Sequence, residues 1–217
     1  MTPNKEDYLK EINKLGGESN LVANKQIAEA LKVAPASVSE MLGKLEKEGL
    51  VEYAPYKGIR LTPIGKQQSS ALLRNHRLWE VFLLRCLGYS WSEVHEDAEL
   101  LEHVTSPHLA QKLDDFLHNP DVCPHGAIIP GADGTIRTMN LQKLNRMSVG
   151  ETSAIRKVTE EKELLDYLQD LGVRIGSTVT VLSIGPYEGP FSVELDGQKI
   201  SLSYKAACHI DVDALKK

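Results

Sequence analysis

Residues 24–62 combine two short helical patterns with two short strand patterns, an order that strongly limits the possible folds. The second helical pattern begins at Pro35 and ends at Gly49. Residues 50–53 and 59–62 then have β-like composition on either side of a glycine turn. Two helices joined by a tight turn and followed by a β-hairpin predict a winged helix-turn-helix domain.

The second of these helices starts with small and polar residues, as expected of a helix that enters the major groove. Small side chains allow close approach to base edges, and cations on the helix and the hairpin suit backbone phosphates. The residues predicted to contact DNA are Pro35, Ala36, Ser37, Ser39, Glu40, Lys44, Lys57 and Arg60. Without the hairpin, a plain pair of helices would explain the pattern equally well.

The stretch from His95 to His103 places four possible metal ligands on one side of a helix. At about 100° per residue, these side chains fall within an arc of about 100°. They are His95, Glu99, Glu102 and His103. Carboxylate oxygens and imidazole nitrogens bind divalent ions. The stretch itself leaves two interpretations open, a metal site or an acidic solvent-facing helix with two incidental histidines.

Three further groups contain possible metal ligands, each of which also has an alternative interpretation, such as a bridge between His76 and Glu80 themselves. His76 and Glu80 stand four residues apart on a long helix that begins at residue 62 or 63. Cys123 and His125 lie in a loop rich in proline and glycine, where a buried cysteine beside a loop histidine is the simpler interpretation. Asp7, on the first helix, is more simply explained as a carboxylate at the positive end of the helix dipole.

The last third of the chain changes from helical to β-like patterns. Runs rich in β-branched residues at residues 178–182, 191–195 and 200–202 are separated by Gly, Pro and Asp-Gly turns. One short helix is predicted at residues 161–171. The pattern predicts a small SH3-like barrel, and because it contains no catalytic constellation we interpret it as a binding or stabilising module.

Charge and composition agree with a DNA-binding module in the first third. The chain has 25 Lys/Arg, 30 Asp/Glu and a net charge of −5, but residues 1–72 contain 10 basic and 9 acidic residues. The acidity therefore belongs to the later chain. An odd number of cysteines, three, and the lack of a long apolar run or signal-peptide pattern predict a cytoplasmic protein without a membrane partner.

Taken together, these parts resemble the diphtheria toxin repressor family of metal-dependent transcriptional regulators over essentially the whole length. The resemblance is strongest to the manganese-dependent branch, of the streptococcal ScaR/SloR type. Its motifs are residues 6–9, 38–51 and 61–65, His76 with Glu80, residues 91–103 and residues 123–126. The terminal part is similar to the FeoA-like SH3 domain that many members carry.

The resemblance implies two metal sites. Its primary site would consist of Asp7, Glu99, Glu102 and His103. Its second site would use His76, Glu80 and His95, to which the terminal domain could add Glu160. In some streptococcal relatives, the second site instead corresponds to Glu80 with Cys123 and His125. Iron-responsive members have methionine and cysteine at the positions of Asp7 and Glu99, so the carboxylates here favour Mn²⁺, with Zn²⁺ and Fe²⁺ as further candidate ions. Lys10 stands where some manganese regulators have another carboxylate, which argues against a paired-manganese cluster.

The resulting expectation is a mainly α protein with a small β domain at its C-terminal end. Residues 1–72 would form the winged helix-turn-helix DNA-binding domain, residues 73–140 a helical dimerisation and metal-binding domain with a linker, and residues 141–217 an SH3-like, FeoA-type domain. The expected function is a manganese-responsive homodimeric repressor. Metal binding would stabilise the dimer that binds a palindromic operator and represses metal-uptake genes.

Two other functions compete with this one. His95-Glu96-x-x-Glu99 superficially matches the HExxH motif of zinc proteases, but a glutamate replaces the second histidine and no nucleophile or general base accompanies it. We therefore expect no enzyme activity. A metal-independent winged-helix regulator that senses a small organic ligand is the second alternative.

Overall fold

The computed structural model describes residues 1–54 and 57–214. Pro55 and Tyr56, at the predicted hairpin turn, and Leu215–Lys217 of the expected terminal domain lie outside the described residues. Close backbone contacts group the chain into two units. The first unit comprises Met1–Trp79, Glu99–His118 and Ile129–Ile136, and the second comprises Glu80–Ala98, Asn119–Ile128 and the residues from Arg137 onwards.

Helices dominate the first two thirds of the chain and strands the last third. The helices are α1 (Pro3–Lys14), α2 (Asn24–Leu31), α3 (Pro35–Lys47), α4 (Pro63–Leu87), α5 (Val94–Glu102), α6 (Pro107–Phe116), α7 (Lys162–Asp170) and α8 (Tyr204–Ala207). The strands are β1 (Val51–Ala54), β2 (Gly58–Leu61), β3 (Leu141–Lys143), β4 (Thr152–Val158), β5 (Thr178–Ile184), β6 (Phe191–Leu195), β7 (Gln198–Leu202) and β8 (Ile210–Asp213).

The first unit contains the predicted winged helix-turn-helix. Leu9 and Ile12 of α1, Val38 and Leu45 of α3 and Ile59 of β2 are fully buried in one apolar core. β1 and β2 pair antiparallel, and a bridge between Val22 and Ile59 adds a short third segment to this hairpin. The fold predicted for this part of the chain is confirmed.

Helix α1 buries polar as well as apolar residues. Lys10 and Asn13 are 3% and 8% exposed, although both types are usually found at the surface. The side-chain amide of Asn13 donates to the Ser69 hydroxyl of α4 at 2.7 Å. Helix α1 therefore packs one face into the apolar core and makes polar contacts with another face.

The second unit contains the predicted SH3-like domain. Its six antiparallel strands follow the order β3-β8-β4-β5-β6-β7, and α7 packs against the same apolar core. Phe191, Ile155, Leu168 and Trp91 are among the buried residues of this core. Strands β5, β6 and β7 and helix α7 agree with the runs predicted from sequence, which did not include the short strands β3 and β8.

Helix α4 spans 25 residues and includes the boundary expected between residues 72 and 73. The division of the chain into three functional parts at residues 72 and 140 stays a prediction. Within the described ranges, no helix is both long and apolar enough to cross a membrane.

Two helical glycines offer a test of how closely the winged domain packs. A Cβ added to Gly65 of α4 would lie 1.9 Å from the Leu50 carbonyl oxygen, whereas one added to Gly43 of α3 would meet nothing within 4 Å. We expect Gly65→Ala to lower the free energy of unfolding by about 1–3 kcal/mol, since backbone must move. Gly43→Ala should raise it by up to about 1 kcal/mol, as alanine favours helix. Urea denaturation measures both, and equal effects would contradict the close approach.

Candidate metal centres and DNA-binding surface

Three carboxylates and one imidazole come together where the end of α5 approaches α1. Ligand atoms of the four residues predicted for the primary site all lie within 4.8 Å of one another. Asp7 comes from α1. Glu99 and Glu102 belong to the last turn of α5, and His103 follows it directly. Glu102 is buried and the other three are partly exposed, so one small cation could contact all four ligands.

Both ring nitrogens of His103 face carboxylates. Nδ1 lies 2.6 Å from Glu6 Oε2, and Nε2 lies 3.1 Å from Asp7 Oδ1. When the ring is neutral, Nδ1–H donates to Glu6, and the Nε2 lone pair is then directed at the cluster. Glu6 had no role predicted from sequence, although it directly precedes Asp7 in the first turn of α1. Glu6 thus orients a predicted ligand.

Both carboxylate oxygens of Glu102 have nitrogen partners. Oε2 lies 2.5 Å from His76 Nδ1, and Oε1 lies 2.6 Å from Lys10 Nζ. Lys10 Nζ is also 2.5 Å from Glu99 Oε2. His76, which the sequence analysis assigned to the second site, therefore contacts a carboxylate of the primary cluster. Lys10, which stands where the family resemblance implies another carboxylate in some relatives, contributes a buried positive charge here.

Burial and neighbouring charges act against each other in this cluster. Burial disfavours the Lys10 ammonium, but Glu102 and Glu99 outweigh it and raise the pKa of Lys10 above its usual value. Burial, together with the negative charges of Glu99 and Glu102, raises the pKa of Asp7 by more than the charges of His103 and Lys10 lower it. A nearby divalent cation favours an ionised carboxylate. A divalent cation in the cluster would therefore favour the ionised form of Asp7.

A second cluster of possible ligands lies wholly within the second unit. Ligand atoms of Glu80, Cys123, His125 and Glu160 lie within 4.8 Å of one another. His125 Nδ1 is 3.4 Å from Glu80 Oε1, 3.9 Å from Glu160 Oε1 and 3.9 Å from Cys123 Sγ. The first three residues of the cluster are buried. The structure thus groups the Cys123 and His125 alternative of the predicted second site with both glutamates.

A tight loop positions Cys123 and His125. The Gly126 amide donates to the Cys123 carbonyl, and the Cys123 amide donates to the Ala127 carbonyl, both at 2.9 Å. Gly126 has a φ of +83°, and a Cβ there would lie 1.8 Å from the Arg156 carbonyl oxygen. Both features require glycine. The loop therefore holds its two ligands in one fixed arrangement.

Trp91 orients the His125 ring. His125 Nε2 lies 2.9 Å from the Trp91 carbonyl oxygen, and the two rings stack with centroids 5.9 Å apart. Because a carbonyl only accepts, Nε2 carries the proton and Nδ1 faces the cluster. Burial lowers the pKa of His125, but Glu80, with smaller contributions from Glu160 and the Trp91 carbonyl, outweighs it and raises the pKa overall. Trp91 belongs to a family motif, but no individual role was predicted for it from sequence.

The other set predicted for the second site is also represented within the second unit, where ligand atoms of Glu80, His95 and Glu160 lie within 4.8 Å of one another. His95 Nδ1 lies 3.8 Å from Glu80 Oε1 and is partly exposed. His76 belongs to the first unit. Glu80 therefore lies near two predicted metal ligands. One is His95 on α5, and the other is His125 in the loop.

All eight residues predicted to contact DNA are exposed. In α3, the intervening Val38 is buried, so the core fixes the helix while its outer side chains face solvent. Lys44 pairs with Glu40 at 2.7 Å, and Arg60 pairs with Glu52 at 2.6 Å. Because exposed ion pairs of this kind contribute little, phosphates could replace the carboxylates.

Three family models match consecutive parts of the chain. Residues 1–59 match "Iron dependent repressor, N-terminal DNA binding domain" and residues 62–131 match "Iron dependent repressor, metal binding and dimerisation domain". Residues 142–214 match the FeoA domain. These matches follow the order of the parts expected from the sequence.

Individual proteins that are similar to this chain support the same family assignment. The iron-dependent repressor IdeR of Mycobacterium leprae is 32% identical over 189 residues, covering 81% of this chain and 82% of the relative. A manganese-dependent transcriptional repressor solved with manganese is 36% identical, with a TM-score of 0.88 and coverage of 97% and 99%. ScaR solved with bound Cd²⁺ is 37% identical, with a TM-score of 0.80 and the same coverage.

The geometry of the second cluster predicts that a soft ion will contact Cys123. Titration with Cd²⁺ should produce an ultraviolet sulfur-to-metal charge-transfer band, because thiolate is a soft ligand. The band should disappear in Cys123→Ser and persist in Cys86→Ser, which alters an exposed cysteine outside both clusters. A band that survives Cys123→Ser would remove this thiol from the site.

Proposed function

The chain belongs to the iron-dependent repressor family of metal-dependent transcriptional regulators, and from this premise we propose that it is a manganese-responsive repressor. The proposal is that Mn²⁺ acts as co-repressor for a dimer that binds a palindromic operator and represses metal-uptake genes. The relatives are repressors and not enzymes, in agreement with the expectation from sequence.

The donor set of the primary cluster is the observation that carries the proposal. Asp7, Glu99, Glu102 and His103 offer three carboxylates and one imidazole, with ligand atoms within 4.8 Å of one another. Such an oxygen-rich set without sulfur suits Mn²⁺ among the first-row ions. The residues present therefore fit a resident divalent cation. When bound, that cation supplies positive charge that offsets the repulsion among the three carboxylates.

Helix α1 connects this cluster with the DNA-binding surface. Asp7 faces the cluster, while Leu9 and Ile12 of the same helix pack in the core that supports α3. A change in the position of α1 would therefore change the position of the recognition helix. This coupling supports a mechanism in which the ion favours one geometry of two recognition helices that enter successive major grooves. Operator DNA must then tighten metal binding by the same factor.

Discrimination among ions is proposed to follow from coordination rather than from affinity alone. Zn²⁺ generally binds nitrogen, oxygen and sulfur ligands more tightly than Mn²⁺ or Fe²⁺. The Glu80, Cys123, His125 and Glu160 cluster offers a thiol and an imidazole, so we assign Zn²⁺ preferentially to it. The primary cluster would remain the site whose occupancy by Mn²⁺ controls operator binding. As a regulator of transcription, the protein would act in the cytoplasm.

Removing the Asp7 carboxylate tests the metal dependence directly. We expect Asp7→Met to weaken Mn²⁺-dependent operator binding about tenfold or more while leaving the dimer intact, since one charged ligand is lost. Glu11→Met is the matched control, because it removes a carboxylate from the same helix outside the cluster. Operator titrations with added Mn²⁺ and with a chelator, at matched salt, measure both variants.

Two results would contradict the proposal. Wild-type operator affinity that is identical with Mn²⁺ and with chelator would refute a manganese-responsive repressor and favour a metal-independent regulator. Unchanged Mn²⁺ activation of Asp7→Met would remove Asp7 from the controlling site.

The wing supplies a separate test of the DNA-binding surface. Lys57 is exposed beside β2, and we expect Lys57→Ala to reduce the magnitude of the salt slope of operator binding by about 1, because one phosphate contact is lost. Lys199→Ala removes the same charge from an exposed position on β7 and should leave the slope unchanged. Fluorescence anisotropy at several salt concentrations gives the slopes, and equal values for the two variants would exclude this wing contact.

A further inference from the structure

Lys10 is the buried cation of the primary cluster. Only 3% of the residue is exposed, and its ammonium contacts Glu99 at 2.5 Å and Glu102 at 2.6 Å. A lysine is seldom buried to this extent unless it is paired. Lys10 also lies beside the end of α5, where the helix dipole favours positive charge. This position therefore favours a positively charged side chain.

The contacts of Lys10 involve the same carboxylates that we propose as metal ligands. Glu102 Oε1 accepts from Lys10, and Glu102 Oε2 lies against His76 Nδ1. Neither oxygen of this buried carboxylate is therefore available to a new cation without sharing or losing an existing contact. Glu99 has one oxygen in contact with Lys10. Any divalent ion that enters the cluster must compete with the ammonium for negative charge.

The same ammonium joins two distant parts of the chain. Lys10 is on α1, and its carboxylate partners lie 89 and 92 residues later at the end of α5. This is the same connection that an ion between Asp7 and the α5 carboxylates would make. Attraction between Lys10 and the carboxylates also reduces their mutual repulsion when no ion is bound.

We propose that Lys10 is a tethered competitor of the divalent ion, which holds α1 to α5 at low metal concentration and sets the concentration at which the repressor responds. This inference rests on the proposed function, because it assigns a regulatory role within the same cluster. Lys10 acts here as a positioning and threshold-setting residue and does not bind the ion. Its charge, rather than its shape, is the property that matters.

Replacing Lys10 by a neutral side chain separates charge from packing. We expect Lys10→Met to bind Mn²⁺ about tenfold or more tightly than the wild type, since the competing charge is gone. The same variant should melt at a lower temperature in chelator and show a larger rise on addition of Mn²⁺. Lys10→Arg, which keeps the charge, should bind Mn²⁺ like the wild type. Lys14→Met, an exposed change on the same helix, controls for the loss of one charge from α1.

The measurements are Mn²⁺ affinity by equilibrium dialysis and melting temperature with chelator and with Mn²⁺, all on the full chain. Circular dichroism establishes folding, and Lys10→Gln provides the same measurements if Lys10→Met does not fold. Equal or weaker Mn²⁺ binding by the neutral variants would overturn the competition, even if operator binding by the wild type depends on Mn²⁺. Mn²⁺ binding by neither the wild type nor the neutral variants would overturn both proposals. Tightening by Lys14→Met to the same degree would show a nonspecific charge effect and also overturn the role of Lys10.

Discussion

Neutralisation of buried negative charge around Glu102 is the constraint on which the first unit depends. This carboxylate is 1% exposed and has nitrogen partners on both oxygens, Lys10 and His76. Removing one partner of such a buried pair generally costs several kcal/mol, because it leaves a charge without compensation. The end of α5 and helix α1 must therefore stay close together as long as Glu102 is ionised and buried.

The link between this cluster and DNA recognition is a single helix with two different faces. Leu9 and Ile12 belong to the core beneath the recognition helix, whereas Asp7 and Lys10 belong to the cluster. Because protein cores are close-packed, α1 cannot move on one face without a rearrangement on the other. A cation-dependent change in the cluster can thus reach the exposed side chains of α3 without contacting them.

The ligands of the second cluster are held in place by hydrogen bonds and by close backbone packing. Its loop is fixed by backbone hydrogen bonds and by the close approach of Gly126 to Arg156, and the Trp91 carbonyl sets which nitrogen of His125 faces the glutamates. A preformed site of this kind avoids the ordering cost of assembling ligands from a mobile loop. The two clusters therefore offer different donor sets and different ways of being held, which agrees with our assignment of different ions to them.

The sequence by itself determined the element types and the chemistry of the candidate ligands. Sequence patterns predicted α1 to α5, α7 and the strands β1, β2, β5, β6 and β7, because each helix or strand must bury one face. Through the family resemblance, the carboxylates at residues 7 and 99 pointed to a hard ion. The short strands β3 and β8 were missed, since three or four residues carry too little periodicity. Only the tertiary structure decided that Lys10 contacts Glu99 and Glu102, that His76 contacts Glu102, and that Glu6 and Trp91 orient the ligand histidines. These contacts join residues that are 26 to 97 positions apart, and their geometry depends on how the apolar faces pack, which local sequence patterns do not encode.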